Sequence, residues 1–148
     1  MPAPVPGLRS PHEKVGGLVF FGRMLDKIRL QQAGRLPPGY NLGDSSPGFF
    51  DGRTCRFLRV RYADVRERVL AGAADDEVLA WCFDNGRRPS EEEVQMFNDF
   101  LRKRGWNDDA SEFLEQRKRD LGLNDRTDIQ TSFDLQDADE GRPLRRYT

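Results

Sequence analysis

Histidine is almost absent from this chain. His12 is the single one among 148 residues, so neither a histidine-based triad nor a histidine-rich metal site can be assembled from it. Cysteine is nearly as scarce. Cys55 and Cys82 stand 27 positions apart in no CxxC or metal-like spacing, and each lies among aromatic or aliphatic neighbours, as buried free thiols do. The longest apolar run, LVFF at 18–21, is far too short to span a bilayer. The N-terminus shows no basic segment followed by a long apolar stretch, so no secretion signal is expected. Net charge is −1 and the isoelectric point about 5.9, which leaves no overall field to gather nucleic acid or anionic lipid. Neither GxGxxG nor GxxxxGK[ST] occurs. These absences point to a soluble cytoplasmic protein with no cofactor, no metal site, no membrane partner and no evident catalytic group.

Charged residues make up 33% and hydrophobic ones 36%, and the apolar ones recur at helical spacings, which argues for a folded chain. Residues 1–10, with three prolines and a glycine, read as a flexible lead-in. Ser10-Pro11 with Glu13 reads as a capped helix start. After Gly16-Gly17, Leu18, Phe21, Leu25 and Ile28 predict a helix to about Gln32, ended near Gly34. Residues 35–48, RLPPGYNLGDSSPG, predict one long Pro/Gly-rich loop. Further helices are expected around 50–58, 62–71 and from Asp75. The clearest follows Ser90-Glu91-Glu92-Glu93, with Val94, Phe97 and Leu101 on one side. Another starts at Asp108 or Asp109 with Phe113, Leu114 and Leu121. Ile129, Phe133 and Leu135 anchor the end of the domain, and residues 136–148 read as a charged, solvated tail. No segment shows sustained β alternation. The expectation is an all-α fold: one compact domain over 11–135 with five to seven helices and one long loop.

SPHEKVGG, RMLDK ahead of a helix ending at Gly34, Tyr40-Asn41, DDEVLAW and TDIQTSFDL together resemble a bacterial family, the domain of unknown function 5069, over roughly residues 10–135. The resemblance implies a soluble bacterial protein of helical architecture and includes Arg23, Asp26 and Lys27 in its pattern. It implies no activity. The arginine-dense stretch RTCRFLRVRYADVRERV departs from what the family usually carries there.

On a helix, Arg23, Asp26 and Lys27 at i, i+3 and i+4 emerge from one side, with Asp26 able to bridge Arg23. They form either a structural ion cluster or an anion site over which Tyr40 closes from the long loop. Arg29 is expected on the plain surface. Arg53, Arg56 and Arg59, continuing to Arg61, Arg66 and Arg68 with Phe57 and Tyr62 interleaved, are a candidate surface for an anionic partner. Residues 1–74 carry a net charge of +6 and residues 75–148 one of −7, an asymmetry that suits self-association or internal pairing. Three readings stay open. The first is a non-catalytic helical binding or protein-interaction module, with a homo-oligomer or another protein as partner. The second is a small-anion binder or enzyme using Arg23, Asp26, Lys27 and Tyr40. The third is nucleic-acid contact through the arginine stretch.

Overall fold

Two adjacent glycines set the first turn. In a computed structural model of the chain, which describes residues 3–146, Gly16 and Gly17 take φ of 56° and 86°. That backbone suits a two-residue hairpin. It pairs Lys14–Val15 (β1) with Leu18–Val19 (β2), Lys14 opposite Val19 and Val15 opposite Leu18. The helix expected from Ser10-Pro11 does not form. Ser10 instead closes a turn, its carbonyl accepting from Glu13 N–H and its hydroxyl from His12 N–H, which delivers the chain into β1. Strands of two residues are too short for alternation to be read in sequence.

The remainder is helical: α1 (Phe21–Gln32), α2 (Phe50–Leu58), α3 (Tyr62–Leu70), α4 (Asp75–Asn85), α5 (Glu91–Lys103), α6 (Ser111–Asp120) and α7 (Ser132–Asp139). The described residues fall into two compact units, one of residues 6–98 and one of 99–146 with 3–5.

In the larger unit α1 is buried along its whole circumference from Phe21 to Ile28. Phe21, Met24, Leu25 and Ile28 form the core with Leu58, Val65, Val78 and Cys82. Asn98, near the end of this unit, ties the hairpin down. Its side-chain oxygen accepts from Val19 N–H at 3.1 Å and its amide donates to Gly17 C=O at 2.8 Å. The Ser90 capping box forms as the spacing predicts: Ser90 Oγ accepts from Glu93 N–H, and Glu93 accepts from Ser90 N–H. That N–H and the Arg87 guanidinium hold the Glu93 carboxyl down at about 2.

The smaller unit has its own core of Leu114, Ile129, Leu135 and Ala138, with Leu121, Leu123 and Leu144 against it. Phe113 is 64% exposed, because Leu114 and Lys118 take the inner face of α6. One expectation changes here: 136–148 is not a solvated tail from its start. α7 runs to Asp139, and Asp134, Asp137 and Glu140 are buried. Arg142 folds back onto Asp137 and Glu140, and Arg146 reaches Asp134 at 3.5 Å. The N-terminal lead-in is likewise held: Ala3 N–H donates to Asp139 C=O at 3.0 Å, and Val5 and Leu8 are buried.

One contact in the larger unit leaves no room for a side chain. Gly86, which ends α4, would place a Cβ 2.0 Å from the Leu58 carbonyl oxygen and 2.9 Å from that of Cys82. Both obstacles are backbone. Gly86→Ala is therefore expected to cost roughly 3 kcal/mol, read as a fall in the urea unfolding midpoint. An unchanged midpoint would mean that α2 and α4 are not this close.

Candidate functional site

A helix buried all round must settle every polar group it carries. On α1 these are Arg23, Asp26 and Lys27, exposed to only 3%, 7% and 4%. The entry to α1 is itself unusual. Phe20 holds φ at 69°, a region that bulky residues rarely adopt. It is fixed there by Phe20 N–H donating to Pro11 C=O, by its carbonyl accepting from Met24 N–H, and by an edge-to-face contact with Phe50 at 5.4 Å.

Asp26 does not bridge Arg23. Its partner is Arg9, whose Nε and Nη2 donate to the two carboxylate oxygens at 2.8 and 2.9 Å while the Arg9 backbone N–H adds a third bond at 3.0 Å. Arg9 also reaches Asp75 at 2.8 Å. Arg29, expected on the plain surface, lies 2.8 Å from Asp75 and 3.6 Å from Asp26. Two guanidiniums and two carboxylates thus alternate in one balanced network. Burial would raise the Asp75 carboxyl, but Arg9 and Arg29 outweigh it and hold the group below the usual carboxylate range.

Lys27 points the other way. Its ammonium is 2.8 Å from Asp51 Oδ1, donates to Asn41 C=O at 2.7 Å, and lies 5.1 Å from the centre of the Phe20 ring. The second Asp51 oxygen accepts from Gly43 N–H at 2.9 Å. Burial pushes the Asp51 carboxyl up, while Lys27 and the Gly43 N–H draw it back toward ionisation. Asn41 and Gly43 belong to the long loop of residues 35–48, so the Lys27–Asp51 pair fastens that loop between α1 and α2. Arg23 donates to Arg9 C=O at 3.0 Å, and its guanidinium lies 5.9 Å from the centre of the Tyr40 ring. Arg23, Lys27 and Tyr40 are therefore neighbours, and Asp26 serves a separate network.

The arginines of α2 engage the same loop. Arg53 Nε donates to Gly48 C=O at 3.4 Å and Arg56 Nη2 to Pro47 C=O at 2.8 Å. Arg59 is exposed at the left-handed C-cap of α2, and Arg61 pairs with Asp64 on α3. Both thiols are buried. Burial raises Cys55 strongly and Cys82 to about 12, which removes thiolate character at neutral pH. Among the described residues no group of three or more His, Cys, Asp or Glu is placed to hold a metal ion, and no helix is long and apolar enough to cross a membrane.

The family model for a domain of unknown function, DUF5069, matches residues 5–142. The chain belongs to that family. No curated protein matches it. In this DUF5069 member the Arg23/Asp26/Lys27 pattern sits at the centre of two ion networks and the loop fastening.

Two features escaped the sequence reading. Met96 on α5 is 66% exposed, as a surface residue that merely looks apolar would be, but in the smaller unit Phe100, Trp106 and Phe113 are exposed as well, at 46%, 57% and 64%. The smaller unit also carries an open groove of about 750 Å³ between α6 and the loops at 105–108 and 124–130. Trp106, Glu112, Glu115 and the buried Lys118 line it. The turn chemistry of Gly105 to Asp109 could have indicated the loop. Nothing in the spacing distinguishes an exposed phenylalanine from a core one.

The buried pair yields a double-mutant test. Lys27→Met leaves Asp51 without its ammonium and should cost roughly 3–5 kcal/mol, whereas the double variant Lys27→Met/Asp51→Leu should recover a large part of the loss. Urea unfolding of the wild type, both single variants and the double variant measures the coupling. Additive losses would show that the two groups do not act as a pair.

Proposed function

We propose that this chain is a non-catalytic protein-interaction module of the bacterial cytoplasm, and that its working surface lies on the smaller unit. The observation that carries this reading is the exposure of Phe100, Trp106 and Phe113 within one short stretch of chain. Single exposed apolar residues are ordinary, but aromatic side chains are enriched at interfaces, and large ones left in water carry a hydration cost that a partner removes. Burying one such ring is worth about 1.5–3 kcal/mol. Two buried thiols suit a reducing compartment.

The other readings have less beneath them. An anion at Lys27 would compete with Asp51 at 2.8 Å, and the Arg53 and Arg56 donors that would meet a nucleic acid are spent in part on loop carbonyls.

Photo-crosslinking tests the proposal. Benzoylphenylalanine placed at position 113, where it replaces a ring already in solvent, should give discrete protein adducts in cells that express the chain. The same group at position 67, on the exposed face of α3, should give none. Equal labelling at both positions, or no adduct at 113, would contradict an interaction surface on the smaller unit.

A further inference from the structure

Six of the chain's aromatic rings lie under one of its own cations. Arg23 lies over Tyr40, Lys27 over Phe20, Arg68 over Trp81, Arg87 over Phe57, Arg88 over Phe83 and Arg104 over Phe100, with charge-to-centroid distances of 4.5–5.9 Å. Trp106 is not covered in this way. Indole is the ring that binds a cation best, yet among the described residues none stands over it, and 57% of the residue faces solvent on the wall of the groove.

The acids of that groove are unequal. Asp108 is committed to the chain, accepting from Gly105 and Ala110 N–H groups and lying 3.4 Å from Arg104. Glu115 lies 3.6 Å from Lys118, whose ammonium is buried and donates to Ile129 C=O at 3.3 Å. Glu112 has no ion pair among the described residues and is exposed. Three carboxylates against one ammonium leave the lining negative. An uncovered indole and an unpaired carboxylate in one groove are what a planar cation needs, since a guanidinium can stack on the ring through its face and bond the carboxylate through its edge.

We propose that the groove of the smaller unit takes an arginine side chain presented by a partner protein, its guanidinium stacked on Trp106 and paired with Glu112. The proposal rests on the interaction-module reading and names the partner's chemistry. Charge complementarity selects arginine over an acidic segment, and the uncovered indole selects it over a neutral one. Asn124, Thr127 and Gln130 on the same groove can bond the main chain that carries the arginine.

The chain has two tryptophans, so its nitrogen-15 spectrum carries two indole N–H signals, assigned with Trp106→Phe. Titration with acetyl-Gly-Arg-Gly-amide should move the Trp106 signal saturably and leave that of Trp81 in place. Glu112→Gln, an exposed change, should weaken the binding by about two- to fivefold, and acetyl-Gly-Gln-Gly-amide should move the signal far less. No movement at peptide concentrations of about 20 mM, a range that covers contacts as weak as these, would overturn the proposal. So would an equal response to the glutamine peptide, which would assign the groove to a neutral ligand, or an affinity indifferent to Glu112→Gln. If crosslinks from position 113 persist while the arginine peptide fails, the interaction module stands and only the arginine site falls. If both fail, both readings fall.

Discussion

An ammonium inside a protein must be answered by a carboxylate, and the Lys27–Asp51 pair is the point on which the larger unit turns. Both side chains are almost wholly withdrawn from water, at 6% and 1% exposure. Removing two such charges from water is expensive unless their remaining donors and lone pairs are also satisfied. Here the backbone of the long loop adds one bond to each: Asn41 C=O accepts from the ammonium and Gly43 N–H donates to the carboxylate. The cost of burying the pair and the order of the loop are therefore one problem. A loop rich in proline and glycine, with no secondary structure of its own, has its position fixed because two buried charges need its peptide groups.

The second ion network does the same for the N-terminal segment. Asp26 draws three donors from Arg9, one of them a backbone N–H, so a stretch that composition alone would leave loose is held against α1. The arginines serve twice over. Arg23, Arg87 and Arg104 each bond an oxygen and cover a ring. The chain sets 24 basic residues against 25 acidic ones, and much of its positive charge is committed to its own carbonyls, carboxylates and aromatic faces. The smaller unit departs from this economy at Trp106 and Glu112, and it is there that a partner has something to supply.

What could be read in the sequence was what local physics determines. The Ser90 capping box, the apolar stripe through Phe21, Leu25 and Ile28, and the loop at 35–48 all follow from contacts within a few residues. The presence of Arg23, Asp26 and Lys27 together on one helix was also legible, because the apolar spacing predicts that helix around them. Their partners were not. Arg9, Asp51 and Asp75 lie far along the chain from Asp26, Lys27 and Arg29, and no periodicity links them. Asp26 was matched with Arg23, its neighbour on the helix, whereas a bidentate guanidinium from the N-terminal segment offers better geometry. The charged end of the chain misled for a related reason. Asp134, Asp137 and Glu140 look like solvated acids until Arg142 and Arg146 are seen folding back over α7. Phe113 and Leu114 are adjacent apolar residues, and only packing decides which one turns inward.

The claim that the buried pair orders the loop is tested most directly by native-state hydrogen exchange at the Gly43 amide. That N–H lies 2.9 Å from the Asp51 carboxylate and its residue is buried, whereas Gly39 in the same loop is exposed. The account predicts that Gly43 exchanges on the order of a thousandfold more slowly than Gly39, near the rate set by opening of the larger unit. Exchange of Gly43 at the same rate as Gly39 would show that the loop opens freely while the rest of the unit stays folded, and that Lys27 and Asp51 do not hold it.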